Sequence, residues 1–448
     1  MINSIAFAAD SLTHVRTELL SQSPDEGAAV FVAGHSLRPK RTRLLVRQIE
    51  IPGADALLQQ NDAAIVISPT FLAPLIKLAR LERFSVIIAH THPFSTIPRF
   101  SQIDDAGELK LMPAIFNRAP NAPHGAIVFG TEGFDARVWT TPQQCVPVHD
   151  IQSVGKTLRL YPKDEDIPSP SARFDRNIRA FGELGQNILR GLKVGIVGLG
   201  GIGSIVAQQL SYLGVRNFVV LDMDTIDESN LNRLVSATRK DVGRSKVDAA
   251  SDLIFGVTVD AEVQALKGSA VRANDALPLL DCDFVFCCTD SHGSRAVLNA
   301  IAYQYYIPVI DSGVRIDASN GIVTAISGRV QMLSPGLPCL VCQNLLDPEE
   351  VRRDLLSEDE RRRDPYIVGH SEVAPAVISL NGVIASLSVS MFLSATVGMG
   401  SEARHQMYLG RNGVVRAVDA VANPNCVICS LRGALGRGDS WNLPWRTA

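Results

Sequence analysis

No sign of charge dominates this sequence: 43 lysine and arginine residues stand against 46 aspartate and glutamate residues, a net charge of −3. Bulk electrostatics therefore exclude nucleic acid and anionic membrane as expected partners. The first ten residues, Met1 to Asp10, lack a basic leader and a long apolar stretch, so no signal peptide is expected. An uninterrupted apolar span is missing as well. The run Ala376 to Val397 has the length of a membrane span, but Ser379, Asn381, Gly382, Ser386, Ser388 and Ser390 break it, and a buried helix is expected. There is no internal repeat and no low-complexity tract. These absences point to a cytoplasmic globular protein, in which eight cysteines are expected to be reduced, metal-bound or buried. What is present suits that class: 46% hydrophobic and 20% charged residues supply more than one core, and 448 residues suggest about two to three domains.

Along the chain, short apolar strands alternate with helical stretches from Ala28 to about Val148: Ala28–Ala33, Arg43–Val46, Ala63–Ile67, Val86–Ala89 and Ala126–Phe129. The polar run Tyr161 to Ser171, rich in proline and acid, reads as a linker. From Leu192 the order becomes strand, helix, strand: Lys193–Val197, Ile205–Leu213, Asn217–Asp222, then Asp283–Cys288 and Val309-Ile310. Such alternation implies a parallel sheet covered by helices. The expected division is a domain over 1–150, a linker over 151–172 and a second domain over 173–448. Asp347 to Asp364 is densely charged and reads as a solvated helix or a crossover loop.

Gly198-Leu199-Gly200-Gly201-Ile202-Gly203 follows a strand and opens a helix. Glycines permit a tight turn and let backbone amides approach a phosphate at the helix N-terminus. Asp222 ends the next strand, where such folds hold a ribose hydroxyl. To this point an NAD-dependent dehydrogenase fits equally well. The stretches that follow favour adenylation: Asp222 to Arg233, Gly243-Arg244-Ser245-Lys246, Cys288-Thr289-Asp290-Ser291, and upstream Arg173-Phe174-Asp175-Arg176-Asn177. Attack of a carboxylate on an α-phosphate builds negative charge, which arginine and lysine stabilise and a magnesium-binding aspartate screens.

This combination resembles the ThiF/MoeB and ubiquitin-activating family over about Arg173 to Gly433. The resemblance implies that Gly198, Gly200, Gly201 and Gly203 form the nucleotide loop and that Asp222 binds the ribose of ATP. It further implies that Asn230, Arg233 and Lys246 contact the phosphates and that Asp290 binds Mg2+. Arg176 matches an arginine that reaches into a neighbouring subunit's site, which implies a homodimer.

Cys339-Leu340-Val341-Cys342 and Cys426-Val427-Ile428-Cys429 are two thiol pairs suited to a closed, tetrahedral, structural zinc site, and the same family often carries one. Cys287 and Cys288 end a buried strand and read as core. Ubiquitin-activating enzymes usually hold a nucleophilic cysteine in the crossover loop, but Asp347 to Ala374 contains none. The reaction is expected to stop at the acyl-adenylate or to continue on a partner's cysteine.

His90-Thr91-His92-Pro93 follows a strand, with Ser101-Gln102-Ile103-Asp104 shortly after. His90, His92 and Asp104 form a candidate three-ligand zinc site with a fourth position for water, Asp105 being the second choice of acid. Glu26 is the candidate base and Ser101 the candidate oxyanion donor. These residues resemble the JAB/JAMM metallopeptidases, with a His92 to Ser101 spacing one residue longer than usual. The fold class expected is therefore α/β: a Rossmann-like, mostly parallel sheet with an N-terminal α+β JAB-like domain. The expected function is Mg-ATP-dependent adenylation of a ubiquitin-like or sulfur-carrier protein, passed to a conjugating enzyme or sulfurtransferase. Such an arrangement resembles the activating enzymes of bacterial ubiquitin-like conjugation operons. The alternatives are a metallopeptidase that trims or deconjugates that carrier, and a JAB-like domain that only docks a partner.

Overall fold

The computed structural model describes residues 2–163, 171–357, 359–360 and 375–447. Residues 164–170 of the expected linker, and 361–374 of the crossover segment including His370, lie outside the described residues. The chain forms two compact units. The first comprises Met1–Asp166, Gln304–Tyr306 and Ser430–Asn442; the second comprises Ile167–Tyr303, Ile307–Cys429 and Leu443–Ala448.

The first unit is built on strands β1 (Ile2–Ala8), β2 (Ala28–Arg38), β3 (Arg41–Glu50), β4 (Leu57–Gln60), β5 (Ile65–Ile67), β6 (Ser85–Thr91), β7 (His124–Phe129), β8 (Phe134–Thr141), β9 (Gln144–Pro147), β10 (Asp150–Val154) and β11 (Leu158–Pro162). Nine of them form one mixed sheet in the order β11-β10-β1-β3-β2-β6-β7-β8-β9, and β4 and β5 pair separately. Its helices are α1 (Ser11–Leu20), α2 (Pro69–Glu82) and α3 (Gln102–Arg118). Side chains alternate across a strand, so the continuous apolar run of β2 serves two cores. Ala29, Phe31 and Ala33 pack with Leu12, Val15 and Leu19 of α1 on one face. Val30 and Val32 pack with α2 and with Met112, Ile115 and Phe116 of α3 on the other.

Two expected boundaries move. The sheet does not end at residue 150: β10 pairs in parallel with β1, and β11 returns antiparallel to β10. Polar residues such as Asp150, Gln152 and Arg159 alternate with apolar ones there, which disguised a hairpin as the start of a linker. The C-terminal boundary also shifts, because Ser430–Asn442 belongs to the first unit. Absent side chains permit this. A Cβ on Gly34 would lie 2.1 Å from Gly436 O, and one on Gly438 would lie 2.0 Å from His35 O. Both Gly436 and Gly438 take positive φ, which favours glycine. Asp439 Oδ2 accepts from Leu37 N at 2.8 Å, and its Oδ1 accepts from Arg38 and from Tyr305 Oη.

The second unit holds β12 (Lys193–Val197), β13 (Asn217–Asp222), β14 (Glu262–Lys267), β15 (Phe284–Cys287), β16 (Val309–Ser319), β17 (Ile322–Leu333), β18 (His405–Leu409) and β19 (Val414–Ala417). The order is β14-β13-β12-β15-β16-β17-β18-β19. The first five run parallel and the last three add antiparallel strands. Helices are α4 (Asp175–Gly191), α5 (Gly201–Tyr212), α6 (Lys246–Val257), α7 (His292–Gln304), α8 (Pro348–Leu355) and α9 (Ile378–Val397). By length and composition α9 is apolar enough to cross a membrane. It packs against α5, β16 and β17, with Phe392 edge-on to Phe284 at 5.0 Å. Its hydroxyls turn inward along the helix: Ser388 Oγ donates to Ile384 O and Thr396 Oγ1 to Phe392 O, both at 2.8 Å.

Candidate functional site

Strand order reverses between β12 and β15, so a crevice opens at the carboxyl ends of β13, β12 and β15. The three ends carry Asp222, the glycine loop and the Thr289-Asp290 turn. Gly198 has φ +86°, and a Cβ there would meet Cys288 O at 2.8 Å and Thr289 N at 2.9 Å, so two of the three ends touch. A Cβ on Gly203 would sit 1.8 Å from Gly198 O, and one on Gly201 2.1 Å from Asn381 Nδ2 of α9. Each glycine thus holds helix and loop in close approach. Gly200 caps α5 with no side-chain bond, which leaves the first-turn amides free to face an anion.

Asp222 fixes this loop directly: Oδ2 accepts from Leu199 N at 2.6 Å and Oδ1 from Asp224 N at 2.8 Å. Burial raises its pKa, opposed by the charge of Lys246. Lys246 begins α6 and holds its Nζ 2.6 Å from Asp224 Oδ2. Arg233 is steadied by Ser229 O at 2.8 Å and Asn232 Oδ1 at 3.1 Å, leaving much of its guanidinium uncommitted. Asn230 closes a capping box with Asp227. Asp290 is exposed, and its carboxylate has no hydrogen bond or ion pair among the described residues. Arg176 on α4 is likewise exposed and without such a partner among the described residues, while its neighbour Asp175 pairs with Arg179 at 2.9 Å.

Sequence reasoning missed the charges behind this crevice. Asp311 is fully buried on β16 and pairs with Arg295 at 3.3 Å and with Arg329. The only signal was a carboxylate directly after the apolar Val309-Ile310. The nearby thiols are not activated: burial raises Cys287 far above its ordinary pKa and pushes Cys288 up to about 12.

Cys339, Cys342, Cys426 and Cys429 converge in the second unit, their four sulfur atoms all within 4.8 Å of one another. The Cys339–Cys342, Cys339–Cys426 and Cys342–Cys429 separations are 3.6, 3.6 and 3.4 Å. A tetrahedron of thiolates at zinc–sulfur distances has edges of about 3.8 Å, so the donor set fits zinc. Backbone amides of Cys342, Asn423 and Ile428 each donate to a sulfur at 3.4 Å, as thiolates require. Hydrogen bonding from Cys429 leads in lowering the Cys339 pKa, and the same bond raises that of Cys429.

In the first unit, β6 delivers His90 and the loop after it His92, while α3 delivers Asp104. One donor atom from each lies within 4.8 Å of the others. Asp104 Oδ1 is 3.1 Å from His90 Nε2, and its Oδ2 is 3.4 Å from His92 Nε2. His90 Nε2 is buried and faces only the Asp104 carboxylate, a poorly aligned contact that a metal between the two would replace. Burial alone would raise the Asp104 pKa, but both histidines overcome it and hold the carboxyl well below the usual range. Glu26 is buried, stands 3.7 Å from His92 Nε2, and has its pKa raised by that burial. Ser101 closes the α3 capping box with Asp104. Its oxygen accepts from Asp104 N at 3.2 Å, which leaves its own hydrogen free to donate. Asp105 pairs instead with Arg137 at 2.7 Å and is not part of this group.

By fold and by crevice, the second unit is a nucleotide-binding α/β domain of the Rossmann-like class. The chain belongs to the ThiF family, whose model matches residues 174–427. It is 28% identical over 263 residues to the molybdopterin-synthase adenylyltransferase of Escherichia coli, covering 57% of this chain and 95% of that one. It is 27% identical over 263 residues to the SAMP-activating enzyme E1 of Haloferax volcanii, covering 58% and 89%. The solved structure of Escherichia coli MccB with AMPCPP and MccA aligns with a TM-score of 0.45 at 20% identity, over 58% of this chain and 75% of that chain.

Proposed function

We propose that this protein adenylates the C-terminal carboxylate of a ubiquitin-like or sulfur-carrier protein with Mg-ATP and passes the acyl group to a separate conjugating enzyme or sulfurtransferase. The observation that carries the reading is the convergence of the glycine loop, Asp222 and Asp290 at one sheet edge in a ThiF-family chain. The bare N-terminus of α5 faces the phosphates, and Asp222 takes the ribose. Arg233, Lys246 and Asn230 stabilise charge that grows on the α-phosphate and the departing pyrophosphate. Magnesium held by Asp290 would screen the same charge. Arg176, free on its helix, completes the neighbouring site of a homodimer. The four-cysteine cluster holds a structural zinc. The place of action is the cytoplasm.

The test is exchange of labelled pyrophosphate into ATP with a purified carrier. Asp290→Ala and Arg233→Ala are each expected to lower exchange by at least about a hundredfold. Exchange at the wild-type rate in both would overturn the reading.

A second reading concerns the first unit alone and rests on the convergence of His90, His92 and Asp104. We infer a JAB/JAMM-like domain that cuts or trims the same carrier. Zinc at this cluster would supply Lewis-acid activation of water. Glu26, its pKa raised by burial, is placed to accept the proton. Ser101 can donate to an oxyanion. Glu26→Gln should abolish cleavage of a carrier fusion and leave metal content unchanged; unaltered cleavage would remove Glu26 as the base, and a wild type that cleaves nothing would leave this unit a docking module.

A further inference from the structure

Asp290 makes no bond of its own among the described residues, so the backbone turn beneath it sets where its carboxylate points. That turn is tied down on two sides. Ser291 N donates to Thr289 Oγ1 at 3.2 Å, and Ser291 Oγ accepts from Ser294 N at 3.1 Å. The same hydroxyl donates to Asp354 Oδ2 at 2.7 Å, and Gly293 N donates to that same oxygen at 2.9 Å. Asp354 sits in the last turn of α8, 63 residues beyond Ser291. A Cβ on Gly293 would stand 2.5 Å from Asp354 Cβ, so the carboxylate reaches the turn only because residue 293 has no side chain. At the other end of α8, Asp347 N donates to His292 Nδ1 at 3.1 Å.

Helix α7 therefore has its N-terminal amide satisfied by a carboxylate from α8, whereas α5 has no side-chain cap. We propose that Asp354 is a positioning residue of the nucleotide site. Through one oxygen it fixes the Thr289–Ser291 turn, and so it aims the Asp290 carboxylate at the magnesium of Mg-ATP. This rests on the adenylation reading.

The experiment measures binding of a non-hydrolysable ATP analogue by calorimetry, in Mg2+ and in EDTA, to the full-length chain. Asp354→Ala should weaken binding about tenfold in Mg2+ and leave binding in EDTA unchanged. Gly293→Ala, which displaces the carboxylate without removing it, should show the same Mg2+-specific loss. Asp354→Asn keeps an oxygen acceptor at that place and should recover most of the affinity. Wild-type affinity in Asp354→Ala, an equal loss in EDTA, or no recovery in Asp354→Asn would each overturn the inference while leaving adenylation standing. A wild-type chain that binds no nucleotide would remove the adenylation reading itself, and the inference with it.

Discussion

His124 is fully buried on β7, where its Nδ1 accepts from Val86 N at 3.1 Å and its Nε2 lies 2.9 Å from Ala119 O. An imidazole that accepts at Nδ1 and donates at Nε2 is neutral, and burial lowers its pKa from 6.5 to about 4. Below about pH 6.5 the unfolded chain takes up a proton that the folded chain refuses, so stability falls until about pH 4 and is constant below. The expected loss is about 3 kcal/mol. Urea unfolding from pH 7 to pH 4 should show it in the wild type, and His124→Gln should flatten that slope. Thiols allow a second expectation at this scale. Cys145, Cys287 and Cys288 are all shifted by burial away from the thiolate, and the segment 347–374 has no cysteine. No stable thioester with the carrier should therefore form. A thiol-sensitive adduct on a non-reducing gel of enzyme, carrier and ATP would contradict this.

Among the elements, the cysteine knuckles carry the sharpest expectation. Metal bound by thiolates is itself folding free energy, so Cys426→Ser should reduce zinc by about one per chain and lower the melting temperature of the second unit. Atomic absorption and calorimetry would check both, and an unchanged zinc content would refute the site. These knuckles were legible because their spacing is itself chemistry. So were β13, matched end to end over Asn217–Asp222, and the glycine loop that follows β12. Other elements were not. The run over β10 and β11 has too few apolar residues to announce a hairpin, because β11 is an edge strand. Asp354 looked like one charge among many on a solvated helix, since its partners at Ser291 and Gly293 lie 63 and 61 residues away. Asp311 hid for the same reason, its arginine partner on β17 lying 18 residues on. Local pattern reports what a residue is beside in sequence, and these residues work by what they meet in space.

For the whole molecule, the first unit includes a stretch from the far end of the chain, Ser430–Asn442. Asp439 is its main anchor, accepting from Arg38, Leu37 N and Tyr305 Oη. Arg437 adds an ion pair to Glu82 at 2.7 Å and lies over the rings of Phe84 and Trp441. Asp439→Ala leaves the Arg38 guanidinium without its carboxylate and should lower the stability of the first unit by about 3 kcal/mol. Hydrogen exchange at β2 and β3 would report it, and unchanged protection there would show the segment to be dispensable. The same composition sets an order of events during synthesis. A ribosome completes β1 to β11 early, yet the surface around Gly34 waits for a segment translated more than 250 residues after β11. At about 5–20 residues per second, the nascent sheet stands unfinished for roughly ten seconds to a minute. During that interval the cell's chaperones, rather than the fold, must protect it.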